Sequence, residues 1–118
     1  MPYRGGEHAD TSAELVDDLL GGLGLSNYEL LTGIFPEKTG DKVTGKIALC
    51  HVDVDVYGSG RDIVEWVAPK LSPGGVIVFD DFGFYNCSGI TRLVNELRAD
   101  PRWFYVYNLN GHAILKLR

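Results

Sequence analysis

Ile47-Ala48-Leu49-Cys50-His51-Val52-Asp53-Val54-Asp55-Val56-Tyr57 and, further on, Val76-Ile77-Val78-Phe79-Asp80-Asp81 decide the reading of this chain. Each is an apolar run that ends in a pair of carboxylates. Runs of this kind are expected of strands buried on both faces, the condition of parallel sheets. Between them, Ser59 to Leu71 has helical spacing, with Ile63, Val64, Val67 and Leu71 on one side. Trp66 and Pro69 interrupt the end of that helix, and Ser72-Pro73-Gly74-Gly75 reads as the turn into a second strand at 75–80. The pattern is a strand-helix-strand unit. Its strands run the same way, so Asp53, Asp55, Asp80 and Asp81 emerge at one edge. Open α/β sheets bind ligands at that edge. Four carboxylates gathered there repel one another unless a proton or a cation intervenes. A hard divalent cation held by oxygen ligands meets that need.

The flanking segments extend the pattern. Asp10, Thr11 or Ser12 is expected to cap a helix whose apolar face is Leu15, Val16, Leu19, Leu20 and Leu23. Gly21-Gly22-Leu23-Gly24 then stops it. Tyr28 to Gly33 reads as a short strand, and Pro36 to Gly45 as a charged loop. The strand at 46–55 follows. After the second acidic pair, Gly83 to Gly89 forms a loop suited to face a substrate, since loops at strand ends carry function. A helix at 89–98 follows, with Ile90, Leu93, Val94 and Leu97 inward. Trp103 to Asn108 and His112 to Leu117 read as two strands, and Asn110-Gly111 between them is a hairpin turn signal.

Four stretches resemble the metal-dependent sugar O-methyltransferases of antibiotic biosynthesis, the macrocin O-methyltransferase-like group. They are His51-Val52-Asp53-Val54-Asp55-Val56-Tyr57, Leu71 to Ile77, Asp80-Asp81-Phe82-Gly83 and Asn86-Cys87-Ser88-Gly89. Gly33-Ile34-Phe35-Pro36-Glu37 and Asp10-Thr11-Ser12 add to the likeness, which runs from about residue 8 to the C-terminus. The resemblance implies Mg²⁺ ligands at Asp53, Asp80 and Asp81. It implies a general base at Asp55, S-adenosylmethionine as methyl donor, and a sugar or natural-product hydroxyl as acceptor.

The likeness covers only the C-terminal half of such enzymes. Their Gly-rich turn after the first strand, and the acidic residue that holds the cofactor ribose, have no counterpart here. The implied fold is α/β: part of a class I methyltransferase (Rossmann-like) sheet of order 3-2-1-4-5-7-6, lacking its first two strands. Its parallel strands are followed by a C-terminal antiparallel hairpin. Residues 1–118 are read as one truncated domain. The strand at 46–55 then presents an unpaired apolar edge, a template for association, so a homo-oligomer is expected. A cation-binding remnant that self-associates without turnover is the alternative.

Composition narrows the partners. The net charge is −5 and no basic stripe is present, so duplex nucleic acid is not an expected partner. No apolar run has the length of a membrane span, and the N-terminus has no secretory pattern. Cys50 and Cys87 lack zinc-like spacing, and a cytoplasmic protein with reduced thiols is the expectation. Cys50 is expected inside a buried strand. Single residues keep plainer readings. Asp55 or Asp81 is also suited to capping a helix or forming a turn. His51 shares the face of Asp53 and is expected as a buried, hydrogen-bonded histidine; His112 is expected only as a strand residue. The aromatic residues near 103–107 are read mostly as core and sheet surface. Metal-assisted phosphoryl transfer is a further reading, with Arg61 its one nearby cation.

Overall fold

The computed structural model describes residues 10–118; residues 1–9, including His8, lie outside the described residues. The chain forms two compact units, Met1–Lys42 and Val43–Arg118. In the first, α1 spans Ala13–Gly22. Of the three candidate caps it is the extended Ser12 that serves, its hydroxyl accepting the Leu15 N–H at 3.1 Å. Glu14 in the first turn complements the helix dipole. Gly24, at φ +75°, ends the helix. Its N–H reaches the Gly21 carbonyl at 2.9 Å, and the Leu25 N–H reaches that of Leu20 at 3.1 Å. That pair of bonds is a Schellman stop.

The strand expected at Tyr28–Gly33 is not formed; those residues are irregular. Extended backbone needs a neighbouring strand to satisfy its amides and carbonyls, and this segment pairs with none of the described strands. Tyr28 instead donates its hydroxyl to Asp17 Oδ1 on α1 at 2.7 Å.

In the second unit β1 spans Ile47–Val52, α2 Tyr57–Val67, β2 Leu71–Phe79, α3 Ser88–Leu97, β3 Trp103–Tyr107 and β4 Ala113–Leu117. The sheet order is β1-β2-β4-β3. β1 and β2 are parallel, and β4 runs antiparallel to both its neighbours. This is the 4-5-7-6 portion of the expected sheet. The turn expected at Ser72–Gly75 is absorbed into β2 as an irregularity. Ile47 pairs with Leu71 but Leu49 already pairs with Val76, so the residues between bulge out, with Gly74 at φ +74°. α2 ends at Val67, and Pro69 lies in a following 3₁₀ turn.

Register places Val52, Phe79, Ala113 and Tyr107 in one row across the sheet, and Cys50, Ile77, Leu115 and Tyr105 in another. Val52, Ile77, Phe79, Ala113, Leu115 and Trp103 are buried, together with Ile63, Val64 and Val67 of α2 and Ile90, Leu93 and Val94 of α3. The helices meet closely at Gly60. A Cβ there would lie 2.8 Å from Leu93 Cδ2 and 2.9 Å from Ile90 Cδ1.

The alternate residues behave differently, and at Leu49 this corrects the expectation that the parallel strands are buried on both faces. Leu49 is 60% exposed, Phe104 55% and Val106 43%. Cys50 is half-buried instead of fully enclosed, and this partial burial still pushes its thiol pKa up. The strands are apolar on both faces, but the helices of this unit bury one. β1 also lies at the sheet's edge. No helix among the described residues is long and apolar enough to cross a membrane.

Candidate functional site

The acidic residues meet where β1 and β2 end. The Asp80 N–H donates to the Val52 carbonyl at 2.9 Å. That bond carries the parallel pairing one residue past the strands and sets Asp53 beside Asp80. Carboxylate oxygens of Asp53, Asp80 and Asp81 lie within 4.8 Å of one another. Asp81 takes φ 59°, and its N–H donates to Asp80 Oδ1 at 2.8 Å. All three residues expected as metal ligands therefore converge.

Asp55 is placed by a turn, not by the strand. β1 stops at Val52, three residues short of the expected end. The Val56 N–H then donates to the Val54 carbonyl at 2.7 Å, closing a three-residue turn around Asp55 at φ 62°. A γ-turn with positive φ is rare and strained, and strain of this kind gathers at functional sites. The turn brings Asp55 within hydrogen-bonding reach of the Asp81 carboxyl. Neither residue is a helix cap. The cap residues of α2 and α3 are Val56 and Cys87, and neither helix has a side-chain cap.

Crowding has a measurable consequence. Asp81's pKa is raised to about 6, first by burial, then by the charge of Asp80, its hydrogen bond with Asp55, and the charges of Asp53 and Asp55. A proton on Asp81, or a cation at the cluster, relieves this repulsion. Cys87 is buried and its thiol is pushed to about 11, first by burial and then by the charges of Asp55 and Asp81. It stays protonated and donates to Asp55 Oδ1 at 3.7 Å.

Sequence reasoning missed Cys87 as part of the site, and it missed His112. β4 runs antiparallel to β2, so the residue that opens β4 meets the carboxyl end of β2. His112 Nε2 lies 3.3 Å from Asp80 Oδ1. The hairpin signal combined with the expected strand order contained that juxtaposition. The Asn110-Gly111 signal marks the hairpin, although the tip is a wider loop: Tyr107 pairs with Ala113, and the Asn108 N–H donates to the His112 carbonyl at 3.2 Å. His51 is exposed, not buried, with its ring centroid 6.3 Å from that of His112.

The loop after Asp81 is pinned to this hairpin. The Phe82 N–H donates to the Gly111 carbonyl at 2.9 Å. Phe84 packs so tightly on Gly111 that a Cβ there would lie 2.5 Å from its ring. Tyr85 is left 89% exposed. Loop and hairpin enclose an open cavity of about 290 Å³, lined by Phe82, Phe84, Tyr107 and Leu109. Arg61, the cation needed for a phosphate site, is engaged elsewhere. It donates to Glu65 at 3.1 Å and to the Tyr57 hydroxyl at 2.9 Å, and Tyr57 in turn donates to Glu96 at 2.6 Å.

A mixed sheet of this order, acidic at its parallel edge, belongs to the O-methyltransferase type of α/β fold. The structure of the O-methyltransferase NovP superposes with a TM-score of 0.77 at 23% identity, over 91% of this chain and 45% of that one. The O-methyltransferase from Bacillus cereus, solved in complex with SAH, gives 0.66 at 16% identity, over 89% and 57%. The macrocin O-methyltransferase (TylF) family model matches residues 7–102, and the chain belongs to that family. A Streptomyces olivaceus protein, 8-demethyl-8-(2,3-dimethoxy-alpha-L-rhamnosyl)-tetracenomycin-C 4'-O-methyltransferase, is 37% identical over 57 residues, 48% of this chain and 22% of that protein. The chain thus spans about half the length of these solved relatives, and its match covers about a fifth of the curated one.

Proposed function

We propose that this chain carries the cation-binding and proton-accepting part of a Mg²⁺- and S-adenosylmethionine-dependent O-methyltransferase acting on a sugar hydroxyl of a natural product. The observation that carries the reading is the convergence of Asp53, Asp80 and Asp81 within 4.8 Å, with Asp55 held against Asp81 by a strained turn. The donor set is all oxygen, which suits a hard cation. Bound there, Mg²⁺ would supply Lewis-acid polarisation of the acceptor hydroxyl. Asp53, Asp80 and Asp81 hold the cation, and Asp55 takes the hydroxyl proton. General-base help of this sort contributes about 10²–10⁴-fold. The acceptor class follows the rhamnosyl compound named for the Streptomyces olivaceus relative. The methyl donor follows the SAH of the Bacillus cereus structure. Both cysteines are free, in keeping with the reducing cytoplasm.

The methyl donor's cradle is not among the described residues. Gly58-Ser59-Gly60 lies in the first turn of α2, in helical backbone. We therefore assign this chain the cation and the proton, and assign completion of the cofactor site to polypeptide outside the described residues, whether of the same protein or of a partner. The same lack of a cradle favours one other reading, a cation-binding remnant that self-associates. Isothermal titration with Mg²⁺ and then S-adenosylmethionine tests both. Binding of both ligands supports a rebuilt cofactor site, and Mg²⁺ alone supports a half-enzyme or the remnant. Failure of Mg²⁺ to bind, or binding unchanged in Asp53→Asn, removes the reading.

A further inference from the structure

The hairpin tip determines where His112 carries its proton. Asn108 Oδ1 accepts two backbone amides, from Asn110 at 2.9 Å and from His112 at 3.1 Å. Those two donors fix the orientation of the side-chain amide, because its nitrogen cannot accept them. The Asn108 NH₂ group is thereby turned toward His112 Nδ1, 3.2 Å away. A donor facing Nδ1 requires a lone pair on Nδ1, so the ring proton sits on Nε2. Nε2 is the atom 3.3 Å from Asp80 Oδ1. The same Asp80 oxygen also accepts the Asp81 N–H at 2.8 Å.

We propose that His112 is a positioning residue for Asp80. A relay from the backbone of the β3–β4 hairpin, through the Asn108 amide, locks the imidazole as an Nε2–H donor that holds the Asp80 carboxylate in its cation-binding orientation. This rests on the reading of Asp80 as a cation ligand and adds the outer partner that such a ligand requires. It also decides between two uses of His112. His51, Asp80 and His112 offer ligand atoms within 4.8 Å of one another, a donor set that suits a transition metal. A metal at Nε2 needs a lone pair there, and the Asn108 relay supplies a proton instead. The imidazole therefore serves the carboxylate. The hairpin is well placed for the task, because the bond from Phe82 to the Gly111 carbonyl and the Phe84 contact tie its tip to the segment that follows Asp80 and Asp81.

Two measurements on the full chain test this. Long-range proton–nitrogen NMR of the metal-free protein at neutral pH reads which ring nitrogen is protonated, with His112 assigned by the signals lost in His112→Gln. The expected result is a proton on Nε2 alone; a proton on Nδ1 overturns the relay. In Asn108→Ala the constraint is lifted and the Nδ1–H form should appear. Mn²⁺ titration followed by electron paramagnetic resonance reads the consequence. His112→Ala should weaken Mn²⁺ binding about 10–100-fold, and His112→Gln, which retains an N–H donor, should recover much of the loss. Mn²⁺ affinity in His112→Ala equal to that of the unmodified chain overturns the positioning role. If the unmodified chain binds no Mn²⁺, the cation reading itself falls, and the NMR result still decides whether His112 donates to Asp80.

Discussion

The helix-covered face of the sheet and its acidic edge are built from the same two strands on opposite principles. On the covered face, Ile77, Phe79 and Leu115 are wholly buried against α2 and α3, and each contact stabilises the fold. One residue beyond Phe79, the chain gathers four carboxylates and holds Asp55 and Asp81 at positive φ. Repulsion and backbone strain there oppose folding. The core supplies the stability that lets the edge remain under strain. Substitutions should therefore have opposite signs in the two regions.

The largest effect expected is in the core. Phe79→Ala should cost about 3–5 kcal/mol in urea unfolding; a loss under 1 kcal/mol would mean that the covered face is not what holds the sheet. Asp55→Asn should lower methyl transfer by about 10²–10⁴-fold in the assembly that turns over. Its Mg²⁺ affinity should stay near the original, and the melting temperature of the metal-free protein should not fall. A drop in melting temperature would refute the claim that this turn opposes folding.

Mg²⁺ supplied at about 100 times its dissociation constant should add about 2.7 kcal/mol of stability, an increment absent in Asp53→Asn and Asp80→Asn. Equal increments in those variants would place the ion elsewhere. Acidity sharpens the contrast further. Asp81's pKa of about 6 stands above its ordinary 3.8, so the native state binds this proton more tightly than the unfolded chain. Its contribution is fully present below pH 3.8 and is lost as pH rises through about 6. Melting curves of the metal-free protein should therefore show a loss over that window that is missing in Asp81→Asn and removed by saturating Mg²⁺. The smallest effect belongs to the sheet's open face. Phe104→Ala should change stability by no more than about 0.5 kcal/mol. Leu49→Lys should likewise be mild for the fold, yet it should lower the mass seen in sedimentation if the β1 edge joins copies.

Most of the architecture was legible from local pattern. Period and punctuation located both parallel strands, α2 and α3, a cap within residues 10–12 and a glycine stop within 21–24, and the resemblance supplied the sheet order. The misreadings occurred where a neighbour decides. Tyr28 to Gly33 has the composition of a strand but pairs with none of the described strands. Leu49 has the composition of a buried residue, but on a face that the helices of its unit do not cover. His51 was expected to be enclosed and is open for the same reason.

The candidate site divides along the same line. Sequence alone determined that Asp53, Asp55, Asp80 and Asp81 share one edge, because parallel strands must end on the same side. Only the tertiary structure decided how they divide. Asp53, Asp80 and Asp81 form one oxygen cluster, while a γ-turn and a buried thiol hold Asp55 apart as a partner of Asp81. It also decided that His112, far along the chain, lies 3.3 Å from Asp80, with Asn108 against its other ring nitrogen. Strand direction follows from local pattern, but hydrogen bonds between loops depend on the angle at which each chain leaves the sheet. Backbone torsions at single residues, such as φ 62° at Asp55, set that angle, and no periodicity encodes them.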